Sequence, residues 1–246
     1  MNFDLVYLIA VAACPAAAII LWFSPPKWLE IAAWGAAFTS LSMLLFALGR
    51  ASGHLPIFGE RLEAQLSVAW ILCFLGILVR FLWHRNAEAR FSLMGVVMCV
   101  AATLHVDLQA HPDAFWYSHW TAFGFFSFRV VAVAGVLLSG AFYAAALYDT
   151  EGSLSRRNRV WMGRNILLTS TVIFGVSELS GCLWALRGWG EFWLFNPGFM
   201  SSAGAFLILL IPVHLSGRWT RNPRLLPTVG ALCSVVFLHY VMLRMH

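Results

Sequence analysis

Charge is scarce in this 246-residue sequence. Asp, Glu, Lys and Arg together make up 11% of it, against roughly 25% in an ordinary soluble domain. Apolar residues reach 61%, and the mean hydropathy is +0.78. So few charges cannot cover a water-exposed globular surface, and the chain is read as living in the lipid bilayer. Cysteine is also scarce: five residues, at 14, 73, 99, 182 and 233, with no Cys-x-x-Cys pair. That excludes an encoded thiolate zinc site and covalent c-type haem attachment. Thiols inside apolar runs are ordinary small buried side chains. Walker-type phosphate loops, a Gly-x-Ser-x-Gly elbow and paired-carboxylate sites are missing. Tandem repeats and low-complexity tracts are missing too.

What is present is long apolar runs. Stretches near the ~20 residues that cross hydrocarbon recur eight times. They lie at about 4–23, 28–48, 64–83, 91–109, 119–148, 162–186, 200–216 and 226–244. The expected fold is all-α, a polytopic membrane helix bundle of about eight transmembrane helices. Residues 1–246 are read as a single integral domain, because the loops are too short to fold alone. Val11-Ala12-Ala13-Cys14 looks like a lipoprotein cleavage box. The start Met1-Asn2-Phe3-Asp4 lacks a basic segment, however, and the apolar run continues past Cys14. An uncleaved span is expected.

Orientation follows from the cations. Lys27, Arg85, Arg90, Arg156, Arg157, Arg159, Arg218, Arg221 and Arg224 fall on alternate loops. Only Arg50, Arg61, Arg187 and Arg244 fall on the other side. The imbalance puts both termini on the non-cytoplasmic side of the inner (plasma) membrane. The net charge of +5 is then cytoplasmic anchoring, with no nucleic-acid partner required.

The segment Trp184-Ala185-Leu186-Arg187-Gly188-Trp189-Gly190-Glu191-Phe192-Trp193-Leu194-Phe195-Asn196-Pro197-Gly198-Phe199 lies on the outer side in this topology. Gly188, Gly190 and Pro197 punctuate it, so no regular helix is expected through it. One reading is an interfacial aromatic belt. The other is an aromatic platform for a flat amphiphilic ligand, carried by Trp189 and Trp193.

Two further features carry chemistry. There are eight histidines. His54, His111 and His119 fall on outer loops or span ends, with His105 close by. His239 lies in the last span and His246 ends the chain. His214 and His84 end spans at the cytoplasmic side. A single such histidine is an ordinary interfacial residue. Two on separate helices at one depth, beside an aromatic platform, are candidate haem ligands, since neutral imidazole is a normal axial ligand. The second feature is a pair of ionisable residues inside spans, Arg129 and Glu178. A charge at a helix centre costs at least ~2.5–3.5 kcal/mol on insertion scales. Arg129 lies ten residues inward from His119 and Glu178 nine inward from Arg187, so the two are expected at similar depth. They either neutralise each other across spans five and six, or Arg129 meets a ligand carboxylate.

Three segments resemble the membrane haem-handling proteins of cytochrome c assembly, the CcsA/ResC type and more distantly the CcmC type. Ser52-Gly53-His54-Leu55-Pro56-Ile57, followed by Glu63 and Trp70, is similar to an outer-loop motif of that family. Trp116-Tyr117-Ser118-His119, leading into Gly135-Val136-Leu137-Leu138-Ser139-Gly140, is similar to its external histidine and the helix after it. Trp189-Gly190-Glu191-Phe192-Trp193-Leu194-Phe195-Asn196-Pro197 resembles its tryptophan-rich WWD signature. The likeness covers about 50–216.

It implies haem b bound noncovalently near the outer face, either presented to a partner or held as a resident group. His119 and His239 would be its metal ligands, with His246 the alternative to His239. Trp189 and Trp193 would contact the haem face, and Arg129 or Arg50 an anionic group. His214 would match the intramembrane histidine of a transport route. Any activity would belong to a haem-attachment (synthase) system. Implied partners are a ResB/CcsB-like protein or redox-complex subunits, with apocytochrome c as a client.

The chain departs from the family where its Trp-Asp-Pro-Lys-Glu core reads Phe195-Asn196-Pro197-Gly198-Phe199. Stacking survives that change, since it depends on aromatic faces. Two other expectations remain beside it. One is a haem-free subunit that docks partner helices. The other is a haem-b anchor exchanging electrons with quinone.

The topology is directly testable. A reporter fused after Arg159 is expected to be active only in the cytoplasm, and one inserted near Gly188 only outside. The opposite pattern would invert every depth assignment made from the cations.

Overall fold

The computed structural model describes residues 3–23, 25–52, 61–105, 119–149, 153–192, 197–215 and 222–243. Among them are eight α-helices, one 3-10 turn and no strand. The helices are α1 (Phe3–Trp22), α2 (Lys27–Ser52), α3 (Arg61–Phe81), α4 (Asn86–Ala102), α5 (Trp120–Leu147), α6 (Leu154–Trp189), α7 (Pro197–His214) and α8 (Leu225–Leu243). Each falls on one of the eight apolar runs. Five of them, α1, α2, α3, α5 and α6, are long and apolar enough to cross a membrane. An all-helical chain with this composition fits a membrane-embedded helical bundle.

Contacts divide the chain into two compact units, Met1–Ala114 and Phe115–His246. In the first, α1 packs on α2 and α4, α2 on α3, and α3 on α4. The inward face of α2 is Trp34, Ala37, Leu41, Leu44 and Leu48, each at most 2% exposed. Their spacing alternates between three and four residues, the period of one helix face. Gly76 on α3 makes room for Trp34, because a Cβ there would stand 2.8 Å from the indole. At one end the Arg80 guanidinium grips Glu30 with two donors, Nη2 reaching Oε2 at 2.7 Å. At the other, the hydroxyls of Tyr7 and Thr103 meet at 2.9 Å.

In the second unit α5 packs along α6 and against α8, while α7 packs on α6 and α8. Between Arg129 and Ala146 α5 is buried on nearly every side, as expected of the central helix of a bundle. α6 starts earlier than its apolar run, at Leu154, so Arg156, Arg157 and Arg159 are helical. The reason is local: Ser153 caps the end, its hydroxyl accepting from the Arg156 N–H at 3.2 Å.

The other end of α6 corrects an expectation. Gly188 does not break the helix, which runs through Trp184–Trp189 and stops at Gly190. An isolated interior glycine costs only about 1 kcal/mol, and packing along α5 outweighs it. Gly190 ends the helix in the left-handed region, at φ 77°, with its N–H on the Leu186 carbonyl at 3.0 Å. Pro197 then opens α7, a position where its missing N–H is harmless.

Tyr143, fully buried, is the wedge of this unit. Its ring lies between Gly163 of α6 and Gly230 of α8, and a Cβ on Gly230 would press into the ring's Cγ at 2.8 Å. Gly230→Val is therefore expected to lower stability by about 1–3 kcal/mol, the usual range for overpacking. Gly175→Ala, whose nearest neighbour would be 3.9 Å away, should be neutral or slightly stabilising. Thermal unfolding of the two variants in detergent micelles makes the comparison.

Candidate functional site

His119 is the N-cap of α5, and its two ring nitrogens have different partners. Nε2 faces Arg187 Nη1 at 2.7 Å. A guanidinium only donates, so Nε2 carries the lone pair and the ring proton sits on Nδ1. That proton points at the Thr121 hydroxyl, 2.6 Å away. With that proton in place Nδ1 has no lone pair for the Thr121 N–H, 3.3 Å away, so the hydroxyl is its partner. Thr121 is 1% exposed, so the imidazole is held by a fixed partner. A ring N–H anchored this way sets the tautomer and leaves the other nitrogen to act as a ligand.

An aromatic ring lies beside this imidazole, and more follow along the two helices. Trp120 lies 5.8 Å from the His119 ring, and the Arg187 guanidinium carbon is 6.0 Å from the centre of the Trp120 ring. One turn inward, Trp184 contacts Trp189 edge to face at 5.4 Å. It also meets Phe125 at 6.0 Å and Phe126 at 5.9 Å. Trp120 and Trp189 are 64% and 53% exposed, so their faces are open to whatever lies at this end of the unit. Gly181 lets Phe125 in, since a Cβ there would stand 2.6 Å from its ring.

Deeper along the same two helices, Arg129 pairs with Glu178. Its Nη2 also donates to the Ser202 hydroxyl of α7 at 2.7 Å. The guanidinium lies over the Phe125 ring at 4.1 Å and near the Phe174 ring at 5.5 Å. Three helices thus converge on one cation. The expected neutralisation across spans five and six is what the structure contains. Arg129 is spent inside the chain, about 15 Å along α5 from His119 at ~1.5 Å per residue.

The remaining candidates are placed as follows. His214 ends α7, exposed, with Nδ1 at 2.9 Å from the Leu210 carbonyl. Arg164 of α6 reaches the adjacent Val213 carbonyl at 2.9 Å, so His214 stands at the opposite end of the unit from His119. His239 lies in α8, and its side chain is outside the described residues, as are Trp193 and His246. Gly140 of α5 meets Ser234 of α8, and Phe237, two residues before His239, meets Phe174 of α6 at 5.3 Å. Arg50 ends α2 in the first unit, exposed.

Two site residues were missed in the sequence. Ser202 gives no signal, being one of several serines in an apolar run. Arg187 does: the inward counts that align Arg129 with Glu178 also set His119 opposite Arg187. Among the described residues no three His, Cys, Asp or Glu converge; a haem needs only one or two such ligands. The parts present fit an iron porphyrin at three points: a tautomer-fixed imidazole, a guanidinium for carboxylate, and exposed indole faces. No protein-family model and no curated protein matches the chain, so the family resemblance rests on its quoted motifs alone.

The buried ion pair makes a quantitative expectation. Arg129→Ala leaves Glu178 without its cation, a loss typically of ~3–5 kcal/mol in a buried setting. Arg129→Ala combined with Glu178→Ala should be clearly milder than Arg129→Ala alone. Equal losses in the single and double variants, read from unfolding in detergent, would mean the pair contributes no coupling.

Proposed function

We propose that the protein is a haem-handling integral membrane protein of the cytochrome c assembly type, which holds haem b noncovalently at its outer face. The observation that carries this reading is His119. Its Nδ1 proton is fixed by Thr121, its Nε2 lone pair is held by the exposed Arg187 guanidinium, and it stands beside the exposed Trp120. Haem b supplies an iron that accepts imidazole and carboxylates that accept guanidinium. His119 is the proposed axial ligand. Trp189 and, by the resemblance, Trp193 contact the macrocycle face. Arg187 takes the anion-binding role first given to Arg129 or Arg50. The second ligand is His239 or, in its place, His246.

The topology belongs to the same proposal: eight crossings of the plasma membrane, both termini outside and the tryptophan-rich segment on the outer side. In this reading the protein works beside a ResB/CcsB-like or redox-complex subunit and presents haem for apocytochrome c. His214, at the far end of α7, belongs to the cytoplasmic side of the route.

One observation favours a second reading, a haem-free subunit that docks partner helices. Both Arg129 and Arg187 already close on groups of this chain.

A reduced-minus-oxidised spectrum of the purified protein, with haem extracted for quantitation, separates the two. The haem reading expects bound haem b that is lost or spectrally altered in His119→Ala. His239→Ala should also shift the spectrum, or His246→Ala if that residue is the second ligand, while His84→Ala should not. Trp193→Ala should weaken retention by about a kcal/mol without changing the ligands. Wild-type protein free of haem, and unable to take it up, supports the docking subunit instead.

A further inference from the structure

Arg187 stands where a metal on His119 would have to stand. Its Nη1 donates to the lone pair of Nε2 at 2.7 Å, so nothing else can bond that nitrogen until the guanidinium moves. It can move, because it is exposed at the last turn of α6, three residues before the helix stops at Gly190. Its acceptor is a neutral imidazole, whereas a hydrogen bond to a carboxylate is roughly twice as strong and often bidentate. The Trp120 face, 6.0 Å from the guanidinium carbon, gives the cation a surface to slide across as it leaves. His119 itself does not have to move, since Thr121 holds Nδ1 in place.

We propose that Arg187 is a carboxylate-responsive latch on His119. A metalloporphyrin gains the imidazole only when it also brings a carboxylate that draws the guanidinium away. The inference rests on the haem reading and adds a specificity: porphyrins with free carboxylates are accepted, and esterified ones of the same shape are not. The exchange is reversible, so Arg187 returning to Nε2 competes the metal off and assists release. Arg187 is a positioning residue, acting on the metal through the imidazole it caps.

Two measurements on the full chain in detergent micelles test it. The first uses no haem. Diethylpyrocarbonate acylates an uncapped imidazole nitrogen, and peptide mass spectrometry follows His119 and His214 separately. Arg187→Ala is expected to speed acylation of His119 several-fold, leave exposed His214 unchanged, and be partly reversed in Arg187→Lys. Equal His119 rates in wild type and Arg187→Ala overturn the latch. The second titrates haemin against haemin dimethyl ester, read by the Soret band. Wild type is expected to favour the diacid by on the order of tenfold, a modest coupling on the affinity scale. Arg187→Ala should collapse that ratio by gaining affinity for the ester, and His119→Ala should remove the imidazole-type spectrum for both. A ratio unaffected by Arg187→Ala overturns the latch while leaving the haem reading intact. No spectral response to either porphyrin in any variant overturns both.

Discussion

The antiparallel register of α5 on α6 is the constraint on which the second unit depends. Four contacts run along it: Gly135 beside Ser170, the Phe125 carbonyl accepting from Ser177 at 2.6 Å, Arg129 on Glu178, and His119 on Arg187. Faces of Val, Leu and Ala alone would pack in more than one register, because apolar contact is not directional. The charges remove that freedom. A slip of one helical turn, about 5.4 Å, would strand Arg129 among apolar side chains and Glu178 without a cation. Breaking such a pair costs far more than the intact pair contributes. The ion pair therefore acts chiefly to select one alignment, and that alignment carries Arg187 to His119.

The first unit uses polar contacts in a related way, at its ends. Glu30 and Arg80 join α2 to α3, and Tyr7 and Thr103 join the start of α1 to the turn after α4. Between them the packing is apolar and close, with Trp34 pressed onto Gly76. Helices in lipid gain little from burying apolar surface against each other, since the lipid is equally apolar. Shape and a few fixed polar pairs decide which helices meet. The same logic explains why Tyr143 sits between two glycines.

Much of the fold was legible because hydropathy reports helix existence strongly. Each apolar run became a helix. The ends were harder, since capping decides them: Ser153 extended α6 over a polar segment and Gly190, not Gly188, ended it. Legibility of the site was uneven for a related reason. Arg129 and Glu178 could be paired because charge is rare here, and counting from the span ends gives depth. The same counting reached His119 and Arg187, but Arg187 reads as a loop residue if the helix is taken to break at Gly188. The depth of His239 is harder to read, because a count up one helix says nothing about where a neighbour starts.

Among the described residues the His119 end is exposed, and that bears on the proposed haem reading. Resident haem is usually enclosed, which holds it tightly and shields the iron from water. Here the imidazole is part-exposed, and Trp120 and Trp189 are more than half exposed. The cation beside them is tied to a neutral nitrogen by a contact that water screens. A plate bound to such a surface has one face on the protein and another free to meet a second molecule. Weak, one-sided holding would be a defect in an electron carrier. Under the proposed transfer role, it would keep the bound state shallow enough to leave.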